Sequence, residues 1–384
     1  MPAPAVLIHV QHLLGIGHLR RAAAIGRAIA AEGLAVTLVS GGPKVPLELG
    51  AAKLVQLEPV RAADAAFSGL VDIEGKPIDE AFKARRRAHL LGVFHEARPR
   101  VLITELYPFG RRQLRFELAP LIRAAHAMTP RPVLLASVRD ILVDKGKMER
   151  VREMAQLARD FYDRVLVHGD ATLVPFEASF PLAHEIADLI VYTGYVASGE
   201  APAAAPPGIG EDEIVVSAGG GAVGARLIET ALGAHDDGPA RLHERTWRVL
   251  AGSSVAQTAL DAWQRRARPG IIIERARADF PSLLGRAALS VSQAGYNTVM
   301  DVLAAGTRCV LVPFAAGLET EQTMRAEALA RAGRARVVPE AGLTPARLAA
   351  AMLEALDAPT PGPSPWKLDG AREAARLVAR LAKP

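Results

Sequence analysis

Cysteine is nearly absent from this 384-residue chain, with Cys309 alone. That excludes an intramolecular disulfide and a cysteine-rich zinc cluster. Long apolar runs are missing too: none reaches the ~18 to 20 residues of a membrane span. No basic region precedes the first apolar stretch. Residues 5–10 are therefore expected to form a strand rather than the core of a signal peptide, in a cytoplasmic protein. Charge of one sign is scarce as well, since 46 basic and 41 acidic residues leave only +5. Nucleic acid is not an expected partner on that total. What is present is globular in balance, with half of the residues hydrophobic and 23% charged. At this length two domains are expected.

The charge is unevenly placed. Lys83, Arg85, Arg86, Arg87, Arg98, Arg100, Arg111, Arg112 and Arg115 face only Glu96 and Glu105 between positions 82 and 115, a local surplus of +7. A solvated helix face and a surface for phosphates or lipid headgroups are both open readings. Phe82, Leu90, Leu91 and Phe94 lie among these charges. They fit either apolar insertion in a peripheral membrane contact or a helix buried against a sheet.

Short runs rich in Val, Ile and Leu alternate with amphipathic stretches. In the first half the runs are 5–10, 34–39, 101–105, 133–138, 164–169 and 189–194. Strands apolar throughout, separated by helices, predict a parallel α/β sheet covered on both faces. The rhythm breaks at ASGEAPAAAPPGIG (197–210), then restarts at 213–217, 246–252, 271–274, 288–292 and 308–314. The expected organisation is a Rossmann-like domain over 1–197, a linker at 198–210 and a second Rossmann-like domain over 211–357. A helix within 366–384 is expected to pack back on the first domain. A ligand cleft is expected between the domains, at the carboxyl ends of both sheets.

The first strand runs into QHLLGIGHLRRAAAIGRAIA. Gly15 and Gly17 allow a tight turn whose backbone can approach an anion at a helix start. The dinucleotide pattern Gly-x-Gly-x-x-Gly fails, because Arg20 stands at its third glycine, and Ser40, Gly41 and Gly42 supply no acidic residue after the second strand. A nicotinamide dehydrogenase is thereby disfavoured. His18 follows the glycines, where an imidazole near the working pH suits proton removal from a hydroxyl. Filling or capping the turn is the plain alternative.

GIGHLRRAAAIGRAIA resembles the Gly-x-Gly-His loop of GT-B nucleotide-sugar enzymes. These include the family 28 glycosyltransferases and the nucleotide-sugar hydrolases of the pseudaminic-acid pathway. SVSQAGYNTVMDVLAAGTRCVLVPFAAGLETEQTMRAEALARAG (290–333) resembles the donor-binding segment of family 28, typified by the N-acetylglucosaminyltransferase of the peptidoglycan lipid intermediate. The resemblance implies that Gly295, Tyr296, Asn297 and Thr298 hold a diphosphate at a helix start. It also implies that Asp301, where the family usually has glutamate, holds the ribose. Glu321 and Gln322 would read sugar hydroxyls, with Glu319 able to share that work. In SAGGGAVG (217–224), Gly219 and Gly220 would contact the diphosphate. The base would be held by backbone near 275–278.

Arg139 is expected to reach the acceptor or a phosphate, or to pair with a neighbouring acid. No Asp-x-Asp motif and no His/carboxylate metal spacing occur, so neither a metal nor another cofactor is expected. The function implied is an inverting, metal-independent glycosyltransferase. It would move a sugar from a nucleotide-diphosphate sugar, uridine-based by the resemblance, to a lipid-linked, saccharide or small-molecule hydroxyl. A nucleotide-sugar hydrolase and a non-catalytic nucleotide-sugar-binding protein are the alternatives. The basic region within 58–118 and the retention of His18 and Glu321–Gln322 weigh against them.

Overall fold

The computed structural model describes residues 3–13, 15–64, 68–143, 147–197, 205–218, 224–252, 255–315 and 320–383. They divide into two compact units, Met1–Gly199 with Asp369–Pro384, and Glu200–Leu368.

The first unit runs β1 (Ala5–Val10), α1 (Gly17–Ala31), β2 (Ala35–Ser40), β3 (Lys53–Gln56), the short antiparallel pair β4 (Arg61–Ala62) and β5 (Leu70–Val71), α2 (Glu80–Ala97), β6 (Val101–Glu105), α3 (Arg115–Ala127), β7 (Val133–Arg139), α4 (Met148–Phe161), β8 (Arg164–His168) and β9 (Ile190–Tyr192). Its seven-stranded sheet has the order β3-β2-β1-β6-β7-β8-β9, with parallel pairing throughout. Successive residues of a strand feed opposite layers. Leu7, Leu102, Leu134 and Val165 enter one core, whereas Val6, Ile8, Ile103, Leu135 and Leu166 enter the other.

The second unit runs β10 (Ile214–Ser217), α5 (Ala225–Asp236), α6 (Ala240–His243), β11 (Trp247–Ala251), α7 (Gln257–Arg266), β12 (Ile271–Arg275), α8 (Phe280–Leu284), β13 (Leu289–Ser292), α9 (Tyr296–Ala305), β14 (Cys309–Leu311), α10 (Glu321–Arg331), β15 (Arg336–Val337) and α11 (Pro345–Asp357). Its six strands are parallel in the order β12-β11-β10-β13-β14-β15. The proline-rich stretch is partly packed rather than free, because Ala205 is buried with Val215, Leu250 and Leu283.

Beyond α11 the chain returns to the first unit as α12 (Gly370–Leu381). There Ala374, Ala375 and Val378 share a core with Ala22, Ile25 and Ile29 of α1. Gly370 N donates to Tyr195 O at 2.9 Å, and Val196 and Asp369 form an antiparallel bridge. The approach is so close that a Cβ at position 370 would strike Gly194 O.

The basic region divides differently from its sequence pattern. Asp79 caps α2 by accepting from Phe82 N at 2.7 Å, a contact worth about 1 kcal/mol. Leu90 and Phe94 on that helix are core residues, and Phe82 and Leu91 pack against the same core. Burial against the sheet, one of the two readings of these side chains, thus holds for Leu90 and Phe94, while Phe82 and Leu91 are half-buried. Arg86 is fully buried as well, bonded to Glu117 at 2.6 and 3.1 Å. Lys83 pairs with Glu80 and Arg115 with Glu153, so the exposed basic surplus is smaller than the count suggests. No helix among the described residues is long and apolar enough to cross a membrane.

Candidate active site

In the first unit the strand order reverses between β1 and β6, which are neighbours although β2 to β5 separate them in sequence. Open parallel sheets bind ligands outside the carboxyl ends of the strands at such a point. The turn carrying Gly15 and Gly17 leaves β1 here, and His18 is the second residue of α1.

His18 Nδ1 lies 3.0 Å from Oε1 of Glu105, the last residue of β6. Glu105 is fully buried. It also pairs with Arg21, one turn along α1, and accepts from Ser137 Oγ of β7 at 2.5 Å. Ser137 Oγ in turn lies 2.9 Å from His168 Nε2, and His168 Nδ1 lies 2.8 Å from Thr193 Oγ1. The sheet register sets this line, since Glu105 stands opposite Ser137 and Arg139 opposite His168.

Charge follows from these neighbours. Burial alone would raise the Glu105 carboxyl, but Arg21, His18 and Ser137 hold it well below the usual carboxylate range. Burial, and next Arg111, push His18 down to about 3, with Arg21 and Arg139 adding to the fall and Glu105 opposing it, which corrects the expectation of an imidazole that titrates near the working pH. His18 is therefore neutral at working pH, with one ring proton. The ionised Glu105 oxygen can only accept, so Nδ1–H donates to it, and the Arg21 Nη2 contact with Nδ1 at 3.2 Å is then one of charge alone. Nε2 is left as the basic nitrogen, on a side chain that keeps 15% of its exposure.

Arg139, half-buried at the end of β7, joins this group through its charge on His18. So does Arg111, held in the left-handed region at φ 58°. Burial brings its guanidinium down to about 10. Gly41 and Gly42 have a packing reason: a Cβ at the first would strike Arg86 and Gln11, and at the second the His12 ring.

The second unit repeats the reversal between β10 and β13. Gly295 follows β13 as the cap of α9 with φ −63° and ψ 145°. Any residue adopts that conformation, and a Cβ there would meet nothing within 4 Å. What glycine leaves is open space beside the first amides of α9. Tyr296 is buried, Asn297 and Thr298 are half-buried in the first turn, and Asp301 is buried one turn further on.

Glu321 opens α10, yet it is buried rather than the start of an exposed helix. Arg325 Nη2 donates to its Oε1 at 2.7 Å, and Arg325 Nη1 donates to Ala294 O at 2.9 Å. The same guanidinium lies 5.4 Å from the centre of the Tyr296 ring. Arg325 thus joins the starts of α9 and α10. One Glu321 oxygen is committed to it, a constraint that the reading of Glu321 as a sugar contact does not contain. Gln322 Oε1 accepts from Phe314 N at 3.1 Å, which directs its amide nitrogen elsewhere. Gly219, Gly220 and Glu319 lie outside the described residues.

Sequence reasoning singles out His18, Arg139 and the α9 and α10 residues, but not Glu105, Ser137, His168 or Arg325. For Arg325 a signal existed in its i,i+4 spacing from Glu321. For Glu105 the signal was an acidic residue ending an apolar strand.

Comparison with known proteins bears on family and fold. The profile of the glycosyltransferase family 28 C-terminal domain matches residues 215–368. A Brucella suis protein (strain ATCC 23445 / NCTC 10510) is 31% identical over 174 residues, 43% of this chain and 44% of that protein. It is named UDP-N-acetylglucosamine–N-acetylmuramyl-(pentapeptide) pyrophosphoryl-undecaprenol N-acetylglucosamine transferase. The match thus spans less than half the length of that relative. Among solved structures, the kitacinnamycin glycotransferase aligns over 100% of both chains with a TM-score of 0.64 and 17% identity. The Acinetobacter baumannii MurG aligns over 99% of both with a TM-score of 0.60 and 16% identity. At such identities the likeness is one of fold, and that fold is GT-B.

Proposed function

We propose that this chain, whose residues 215–368 belong to the glycosyltransferase family 28 C-terminal domain, is an inverting transferase that moves a sugar from a nucleotide-diphosphate sugar to an acceptor hydroxyl. The observation that carries the proposal is the His18–Glu105 pair at the carboxyl end of the first sheet. It supplies a neutral imidazole whose Nε2 can take a proton.

The acceptor hydroxyl loses its proton to Nε2 as its oxygen attacks the anomeric carbon, and the sugar–phosphate bond breaks on the opposite face. Glu105 keeps Nδ1–H in place and stabilises the imidazolium that forms. Base catalysis of this kind contributes roughly 10²- to 10⁴-fold. On this reading the second unit supplies the donor. Amides at Gly295 and in the first turn of α9, the Thr298 hydroxyl, and Gly219 and Gly220 hold the diphosphate. Asp301 accepts from the ribose, and Gln322, with Glu321 beside it, reads the sugar. Likeness to the Brucella suis relative supports a UDP-linked donor. In the first unit, Gly15 and Gly17 offer backbone amides to a phosphate, and Arg139 its charge to the acceptor or a phosphate. The leaving charge is carried by amides and helix starts, with no divalent ion required.

Incubating the pure protein with a panel of nucleotide sugars, with and without cell extract, tests the proposal. Nucleotide-diphosphate release that depends on extract supports transfer, whereas equal release in buffer would make the protein a hydrolase.

A further inference from the structure

We propose that His168 is a positioning residue for the reaction, fixing through Ser137 and Glu105 which ring nitrogen of His18 carries the proton. The inference rests on His18 as the base.

His168 ends β8 with no exposed surface. Burial pushes its imidazole down to about 3, with Arg21 lowering it further and Glu105 opposing. It is therefore neutral and has one ring proton. Ser137 also has one, and the unprotonated Glu105 Oε2, 2.5 Å away, can only accept it. The 2.9 Å contact between Ser137 and His168 must then run the other way, with Nε2–H donating to Oγ. That leaves Nδ1 bare as an acceptor for the Thr193 hydroxyl at 2.8 Å, a nearer partner than Gly194 O at 3.1 Å.

One assignment thus orients the whole row, from Thr193 through His168, Ser137 and Glu105 to His18. The row crosses the carboxyl ends of β8, β7 and β6. Packing alone would be served by an apolar side chain here. A buried imidazole bonded at both nitrogens, in line with the base, instead holds Ser137 Oγ against Glu105 and offers its proton no second acceptor. Arg21, Arg111 and Arg139 supply the positive charge around His18 and Glu105, so the carboxylate needs a fixed partner on its second oxygen to stay on Nδ1–H.

The test compares His168→Leu, which removes the donor to Ser137, with His168→Gln, whose amide can replace it. Proton–nitrogen NMR of the His18 ring reads the tautomer directly and needs no turnover. The expected result is a single Nδ1–H form in the native protein and in His168→Gln, and a mixture in His168→Leu. With a nucleotide sugar and an acceptor that turn over, kcat should fall roughly 10- to 100-fold in His168→Leu, the range for partners that orient a functional histidine. KM and nucleotide affinity should stay within a few-fold, and His168→Gln should recover most of the rate.

An unchanged His18 tautomer in folded His168→Leu would overturn the proposal. Should that variant fail to fold, Ser137→Ala cuts the same row one bond closer to Glu105 and must give the same tautomer mixture, or the proposal falls. Native turnover in His18→Ala would reject His18 as the base but leave the tautomer result standing, so the two failures are distinguishable.

Discussion

The Arg325 guanidinium spans from Glu321 at the start of α10 to the Tyr296 ring and Ala294 carbonyl before α9. Both ends of the proposed donor site thus hang on one buried cation. Arg325→Met would leave the Glu321 carboxylate buried without it, at a cost of about 3 kcal/mol. Urea unfolding should show that loss. Calorimetry should show UDP affinity reduced about tenfold or more in the fraction still folded. Native affinity would mean that the two loops are ordered by other contacts.

Gly295→Val separates folding from binding. The backbone conformation suits any residue, and an added Cβ meets nothing within 4 Å. Valine is a poorer N-cap than glycine, so stability should fall by about 1 kcal/mol and no more. UDP binding should fall by at least tenfold, because the new methyls occupy the place of the diphosphate. Unchanged binding would move the diphosphate away from α9.

Asp301→Ala should weaken UDP itself, with or without its sugar. A charged hydrogen bond is worth about 1.5–3 kcal/mol, so the dissociation constant should rise more than tenfold in calorimetry. An unaltered constant would take the ribose away from Asp301.

His18→Ala should leave UDP affinity within a few-fold and lower turnover by ~10² or more. Steady-state rates with a nucleotide sugar check it, and near-native turnover would remove His18 from the mechanism.

The buried histidines give a pH dependence of defined sign. His18 and His168 lie at about 3 in the fold, below their ordinary 6.5. Between those values the unfolded chain binds more protons, so the stability they confer is full above 6.5 and is lost as pH falls toward 3. Each contributes a limiting slope of about 1.4 kcal/mol per pH unit. Glu105, also depressed, acts in the same direction below its ordinary range. Urea midpoints should fall from pH 7 to pH 5, while kcat/KM should show no acid limb near 6.5 from His18. A midpoint that rises on acidification would contradict neutral, buried imidazoles.

Central strands were legible because burial on both faces writes a continuous apolar run. The run 101–105 is β6 itself, and 5–10 is β1. Of the four edge strands, β9 and β12 fall in the runs 189–194 and 271–274, but β3, LysLeuValGln, and β15, only ArgVal, were not legible, with a neighbour on one side and little need for apolar residues. His18 could be singled out because its glycine turn is local. Its partner could not, since Glu105 lies 87 positions away and meets it only through the pairing of β1 with β6. The same holds for Arg86, which reads as surface charge until α3 brings Glu117 to it.

The packing of α12 on α1 has a consequence for synthesis. Domains made early on the ribosome can usually close before later ones emerge. Here the core that Ala22, Ile25 and Ile29 share with β1 and β2 is not complete until Ala374, Ala375 and Val378 have been translated. The unit that starts first must wait through the whole of the second, with that core unfinished beside the helix that carries His18. A nascent chain halted at Leu368 should therefore bind chaperones at α1, however well its second unit has folded.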